Sequence, residues 1–196
     1  MKTIMKIAFM CLALVALAGL ISAGCAAVRA GYDSAPYRVV RREGGIELRD
    51  YPALVWVETP MRGANDSFMQ LFRFIGGKNA AQQKISMTTP VFMAGEATNA
   101  TMAFVMPKGM SAGQTPKPNE PGLSVREVGG SRFAVLRFRG GRSGKNETRA
   151  LAELRNWLAR EKLKSEGGPV FGYFDPPWTP SFLRRNEVML RLSMGS

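Results

Sequence analysis

The sequence predicts an α+β fold in one domain, with the order β-β-α-β-β read twice along the chain. Three observations predict it. Two stretches carry helical periodicity, Phe68, Leu71, Phe72 and Ile75 in one and Leu151, Leu154 and Leu158 in the other. Each is preceded by alternating, β-branched sequence broken at Gly-Gly and followed by two short apolar runs bounded by proline. The chain has 196 residues, 45% of them apolar, which suits a single core.

The elements follow in order. Tyr37–Pro60 alternates around Gly44-Gly45 and reads as a hairpin followed by a further strand. "ANDSFMQLFRFIGG" reads as a helix that Asn65 or Asp66 caps and Gly76 ends, with Met69 flanking its apolar face and Arg73 polar. "KISMTTPVFMA" and "ATMAFVMP" read as two strands, the first broken by Pro90. "KGMSAGQTPKPNEPG" is a loop of proline and glycine. "LSVREVGGSRFAVLRFRGG" again reads as a hairpin around Gly129-Gly130. "NETRALAELRNWLAREKL" is a helix with Asn146 as its cap, and "GGPVFGYFDPPWTP" and "NEVMLRL" are the last strands. "REGG" from Arg42 returns as "REVGG" from Arg126, and "TTP" from Thr88 as "WTP" from Trp178. Together with the element order, these echoes predict a tandem repeat about a pseudo-two-fold axis, with a cleft where the halves meet.

The start of the chain is of another kind. Residues 1–24 join a basic "MKTIMK" to an apolar run, Ile7–Ile21, and then to small residues. That run is shorter than the roughly 20 residues a bilayer span needs, so the segment reads as an export signal, with an uncleaved anchor as the alternative. "ISAGC" makes Cys25 a lipid-attachment residue of a bacterial lipoprotein, although Ser22 stands where such boxes carry Leu, Val or Ile. Cleavage after Ala23 or Ala30 competes. Residues 25–36 are then a tether and 37–196 the folded domain. The expected location is the cell envelope: membrane-anchored and facing the periplasm or cell exterior, or otherwise soluble in the periplasm.

Composition narrows the chemistry. There is no histidine, which removes Ser-His-Asp and Cys-His catalysis, the common zinc sites and the usual haem axial ligand. Apart from Cys25 the only cysteine, Cys11, lies in the leader, so the domain has neither a disulfide nor a nucleophilic thiol. The net charge is +12, with Lys2 and Lys6 of the leader contributing two. Basic residues are scattered rather than gathered on one helix, which speaks against nucleic acid and for an anionic membrane surface or an anionic ligand. Asp50, Glu58, Asp175 and Glu187 stand near strand ends, but no spacing brings any two together as an acid–base pair, so an enzyme is the weaker reading.

"YPALVWVET", "FRFIGGKNAAQQKISMTTPV", "MAFVMP", "FAVLRFRG" and above all "GYFDPPWTPSFLRRNEVML" resemble the SOUL haem-binding proteins over about Tyr37 to Leu192. The resemblance implies a distorted antiparallel β-barrel of about eight strands with two helices, built from a repeated β-α-β-β half. It also implies binding of haem or a related tetrapyrrole in a shallow apolar groove beside the first helix. On that basis Phe68 and Phe72 would meet the macrocycle and Arg73 a propionate, while Met87, Thr89 and Val91 face them from the following strand. Some members use a histidine ligand. Here iron would have to take Met, Tyr or Lys, with Met69, Met87 or Met93 the nearest choices, and the expected mode holds the porphyrin by apolar and propionate contacts, with haem not obligatory. The alternatives are a non-haem carrier of small apolar ligands, like the effector-binding domains that share the barrel, and plain burial of each of these side chains in the core. The protein is expected to act as a monomer. The closing "FDPPWTPSFLRRNEV" reads mainly as a rigid corner that seats the last strand, with Asp175 and Glu187 pairing with Arg184 or Arg185 and Trp178 forming one rim of the groove.

Overall fold

The computed structural model describes residues 31–95, 99–176 and 178–193, together with Lys6, Phe9 and Met10. Most of the expected export signal, with Cys25 and the first part of the tether, lies outside the described residues, as does Pro177. No helix among the described residues is long and apolar enough to cross a membrane.

Nine strands form one antiparallel sheet in the order β2 (Arg38–Glu43), β3 (Ile46–Tyr51), β9 (Ser131–Phe138), β11 (Asn186–Leu192), β10 (Ser165–Tyr173), β6 (Val91–Ala94), β7 (Thr101–Val105), β4 (Leu54–Pro60) and β8 (Ser124–Val128). A separate parallel pair joins β1 (Asp33–Ser34) to β5 (Thr88–Thr89). Two helices, α1 (Ala64–Ile75) and α2 (Gly144–Arg160), complete the α+β fold. β2 and β3 form the expected hairpin, turned by Gly44 at φ +56°, a conformation glycine adopts without strain. The barrel expectation gives way to a nine-stranded sheet: among the described residues no ladder joins its end strands, β2 and β8.

The second Gly-Gly break is not a hairpin. β8 pairs with β4 and β9 with β3, in one continuous antiparallel register from Ile46↔Leu136 to Tyr51↔Ser131 and on from Leu54↔Val128 to Glu58↔Ser124. Two long strands therefore bend together, at Pro52-Ala53 and at Gly129-Gly130. A Cβ on Gly130 would stand 3.0 Å from the Tyr51 carbonyl oxygen, so a side chain there would press the two strands apart by a few tenths of an ångström.

Alternation along each strand separates two faces. On the outer face, α1 lays Leu71, Phe74 and Ile75 over Val57 of β4 and Met102 and Phe104 of β7. α2 lays Ala150, Leu154, Trp157 and Leu158 over Leu136 of β9 and Val188 and Leu190 of β11. Each of the buried Leu, Ile, Val, Met and Phe side chains contributes about 1.5–3 kcal/mol by leaving water. The inner face gathers Tyr51, Trp56, Phe92, Ala103, Val105, Val135 and Met189, with Trp56 stacked on Phe92 at 5.1 Å.

Helix details correct the expectations. α1 starts after Gly63, with Asn65 and Asp66 inside its first turn. The α2 cap is Ser143, whose hydroxyl accepts from the Asn146 amide. The buried stripe of α1 is Ser67, Leu71, Phe74 and Ile75, which leaves Phe68 and Phe72 on its flank. Both sets fit helical spacing and share Leu71 and Ile75, so periodicity alone did not separate them.

At one end of the inner face, Arg49 of β3 reaches over β9 to Glu187 of β11, at 2.7 and 3.0 Å, with both side chains 1% exposed. Its Nε donates to Glu47 and Nη1 also to Tyr51, and the guanidinium lies over the Tyr37 ring at 4.1 Å. Burial alone would raise the Glu187 carboxyl. The hydrogen bonds and charge of Arg49, then of Arg185, outweigh burial and hold it below its ordinary 4.5. Arg49→Ala leaves Glu187 buried and poorly compensated. It is expected to cost about 3–5 kcal/mol, read as a lower urea midpoint, and Arg49→Met with Glu187→Leu should recover most of that loss. Because the folded pKa is the lower one, the contribution of Glu187 is full above the unfolded value and is lost as pH falls through the folded one. Glu187→Gln should therefore flatten the acid side of the stability curve, followed by thermal melts from neutral pH downward.

Candidate functional site

α1 covers β4 and β7, and α2 covers β9 and β11. The central strands β6 and β10, which pair from Val170↔Ala94 to Tyr173↔Val91, keep an outer strip between the helices. Its outward side chains, Val91 and Met93 of β6 and Phe171 and Tyr173 of β10, are half-buried. The strip is apolar because both helix clusters extend onto it: Val91 and Met93 pack against the α1 cluster and Phe171 against that of α2.

On the α1 side an aromatic stack runs from core to solvent. The buried Phe104 meets the edge of Phe68 at 5.4 Å, and Phe68 stacks on Phe72 at 5.9 Å and 15°. Phe72 is 47% exposed and Met69 39%. Met87 packs half-buried against the same cluster. Phe68, Phe72, Met87 and Val91 thus belong to one apolar shelf running from α1 to β6, with Met69 exposed next to Phe68 in the helix sequence.

Arg73, Thr89 and Trp178 each have surroundings of their own. Arg73 is clasped by Glu120, with Nε at 2.9 Å and Nη2 at 2.8 Å. The hydrogen bonds from Arg73 hold the Glu120 carboxyl below its usual range. Thr89 is buried in the small parallel pair, its hydroxyl 3.1 Å from that of Ser34. Trp178 stands 79% exposed on the loop after β10. The loop is a corner held by its backbone: the Arg185 amide donates to Asp175 at 2.6 Å and the Thr179 amide to the Pro176 carbonyl at 3.0 Å. Arg185 also pairs with Glu187 at 2.7 Å.

Three features escaped the sequence reading. Glu120, in the proline- and glycine-rich loop, carries no sequence signal linking it to Arg73. Phe171 and Tyr173 show only the alternation of their strand. On the α2 side Tyr173 donates to Glu147 at 2.6 Å, beneath the Arg142 guanidinium at 5.4 Å. Burial and that hydrogen bond push its phenol well up, so it is neutral. An open depression of about 390 Å³ lies beyond the end of α1, lined by Gly77, Lys78, Asn79, Ala80, Gln82, Asn119 and Glu120. No aromatic ring lines it, so it is unlike the shelf.

The acids face cations or a backbone amide rather than one another. Asp50 meets Arg38 and Arg132, Glu58 meets Arg126, Glu187 meets Arg49, and Asp175 takes the Arg185 amide. Hydrogen bonds from Arg132 lead in bringing Asp50 down to about 2. Among the described residues no three His, Cys, Asp or Glu side chains converge as a metal site.

Solved structures share the fold. A hydrolase from Listeria innocua aligns at 9% identity and a TM-score of 0.59, covering 79% of this chain and 94% of that one. An uncharacterized conserved protein from Listeria innocua aligns at 12% and 0.55, covering 76% and 92%. The EcmrR C-terminal domain aligns at 15% and 0.51, covering 80% and 98%. At these identities the likeness is one of fold alone. Among curated proteins none matches the chain. The family model described as SOUL heme-binding protein matches residues 32–191, most of the chain, and the chain belongs to that family.

Proposed function

We propose that the chain binds haem or a related tetrapyrrole flat against the shelf beside α1, by apolar contact and without a histidine ligand. The observation that carries this reading is Phe72, a large ring half in water yet stacked on Phe68 and through it on the core. A flat macrocycle fits such a surface. It would cover Phe72 and Met69 and reach Met87, Val91 and Met93, each Å² of apolar surface covered contributing about 25 cal/mol. Family membership supports a tetrapyrrole over other flat ligands. The group would bring a flat apolar face, two carboxylates and, in haem, an iron. The thioethers of Met69, Met87 and Met93 are the sulfurs proposed for that iron, and the expected selectivity for iron is low. The role is binding and not catalysis.

One observation favours a second reading. Arg73, the cation nearest the shelf on α1, is already engaged by Glu120, which leaves less to select a dicarboxylic ligand. A non-haem carrier of small apolar molecules would use the same shelf.

The finer architectural reading is a duplicated β-β-α-β-β unit wrapped as a distorted barrel. Two features support it. Counted inward from β3 and from β8, the sheet places equivalent elements of the two halves in the same order, with β6 and β10 at the centre. The bent pairing of β3 and β4 with β9 and β8 draws the sides of the sheet together. The remaining elements of the reading rest on the sequence: export by residues 1–24, a lipid on Cys25, a tether through residue 36, action as a monomer in the envelope and no nucleic-acid partner.

Spectral titration with ferric haem and with metal-free protoporphyrin tests the proposal. Saturable one-to-one binding of both is expected, with Phe72→Asp weakening each about tenfold or more, about 1.4 kcal/mol. No saturation by either would leave the non-haem carrier. Glu120→Gln releases Arg73 and is expected to tighten binding of the dicarboxylic macrocycles up to about fivefold at low salt. Affinity unchanged by that substitution would mean that the carboxylates lie away from α1.

A further inference from the structure

We propose that the corner after β10, with the neighbouring start of α2, is a docking surface for an anionic lipid bilayer. Trp178 is 79% exposed and Phe182 66%, two large apolar side chains on one loop. The tip does not owe this exposure to fraying. The Leu183 amide donates to the Pro180 carbonyl at 2.9 Å and Arg184 Nε to the Thr179 carbonyl at 2.7 Å. The Phe174 amide donates to the Arg185 carbonyl at 3.3 Å, which closes the base of the corner. A bonded loop that still presents Trp and Phe to water has a surface made to be covered.

What surrounds the tip says by what. A Cβ on Gly141 would stand 3.7 Å from that of Ser181, and Asn186 donates to the Gly140 carbonyl at 2.9 Å, so the segment leading into α2 lies against the corner. That segment and the first turns of α2 carry Arg139, Arg142, Lys145 and Arg149, all exposed and none in an ion pair among the described residues. The one acid in those turns, Glu147, is engaged by Tyr173. An amphipathic Trp ring with a second apolar side chain, bordered by cations that have no carboxylate partner among the described residues, matches acyl chains beneath anionic headgroups. Two apolar side chains are too little for the core of a stable protein interface. This surface requires neither the tetrapyrrole nor a lipid on Cys25.

The test uses tryptophan emission of the full chain on vesicles of phosphatidylcholine alone and of phosphatidylcholine with an equal share of phosphatidylglycerol. The apolar leader would hold the chain on either kind, so vesicle binding itself is not the readout. Trp56 and Trp157 are buried, and Trp178 is the exposed indole that reports contact. On the anionic vesicles the emission is expected to shift to the blue and to be quenched by brominated acyl chains. The shift should fall at least fivefold with Arg139→Glu plus Arg142→Glu, with Phe182→Ser, or in high salt. Lys145→Glu with Arg149→Glu, on exposed positions of α2 away from the corner, repeats the charge test without touching the loop. Emission that stays red on both vesicle types overturns the proposal and leaves a protein as the occupant. An equal shift on both overturns it as well, because the cations then select nothing.

Discussion

The Arg49–Glu187 pair is the constraint around which the inner face is arranged. It joins β3 to β11 across β9, and so ties together strands separated by most of the chain. Such a pair gains little net stability, since both ions leave water. What it gains is discrimination. A slip of one residue in β3 would turn Arg49 to the α2 side, among Leu136, Leu154 and Leu190, and would leave Glu187 buried without its arginine. The surroundings serve this pair: Glu47 and Tyr51 take further guanidinium protons, Tyr37 covers its plane, and Arg185 approaches the carboxylate from the closing corner. Burial pushes the Tyr51 phenol up to about 12, against the opposing charge and hydrogen bond of Arg49.

With the sheet's register set, the site follows from what two helices can cover. Each helix packs over two strands, because an α-helix is about as wide as two strand spacings. Of the six strands that run from β9 to β4 in the sheet, four are thereby covered, and β6 and β10 are not. The ladder between those strands joins the two halves of the chain at the centre of the sheet, as β3–β9 and β4–β8 do near its ends. An apolar strip in that place is a geometric remainder of the architecture, and Phe68 and Phe72 widen it because they sit one step around α1 from its buried stripe.

Much of this was legible before any coordinates. Both helices, the Pro90 break and the corner between β10 and β11 follow from periodicity and from proline and glycine chemistry. The misreadings share a cause: local sequence does not say what a segment meets at long range. Gly129-Gly130 looks like a turn, and only the approach of Tyr51 shows that it is a crossing of two bent strands. Phe72 and Phe74 are equally apolar, and only the position of the sheet decides which is buried. Arg73 looks free until Glu120, from a loop without periodicity, is found against it. The leader, by contrast, is a matter of composition, and its reading stands on sequence alone.

The net charge of +12 changes meaning once the pairs are placed. Arg38, Arg41, Arg42, Arg49, Arg73, Arg126, Arg132, Arg137, Arg185 and Arg191 all face carboxylates. Most of these lie along the strands, where oppositely charged neighbours support the ladders. They are spent on the fold and add little to any external field. The excess positive charge must therefore lie where arginine and lysine have no such neighbour, and the entrance to α2 is one such place. Composition alone spread the basic residues over the whole surface. The structure divides them into those that hold strands together and those without a carboxylate neighbour, and part of the second group lies at the entrance to α2, against the corner that carries the most exposed tryptophan.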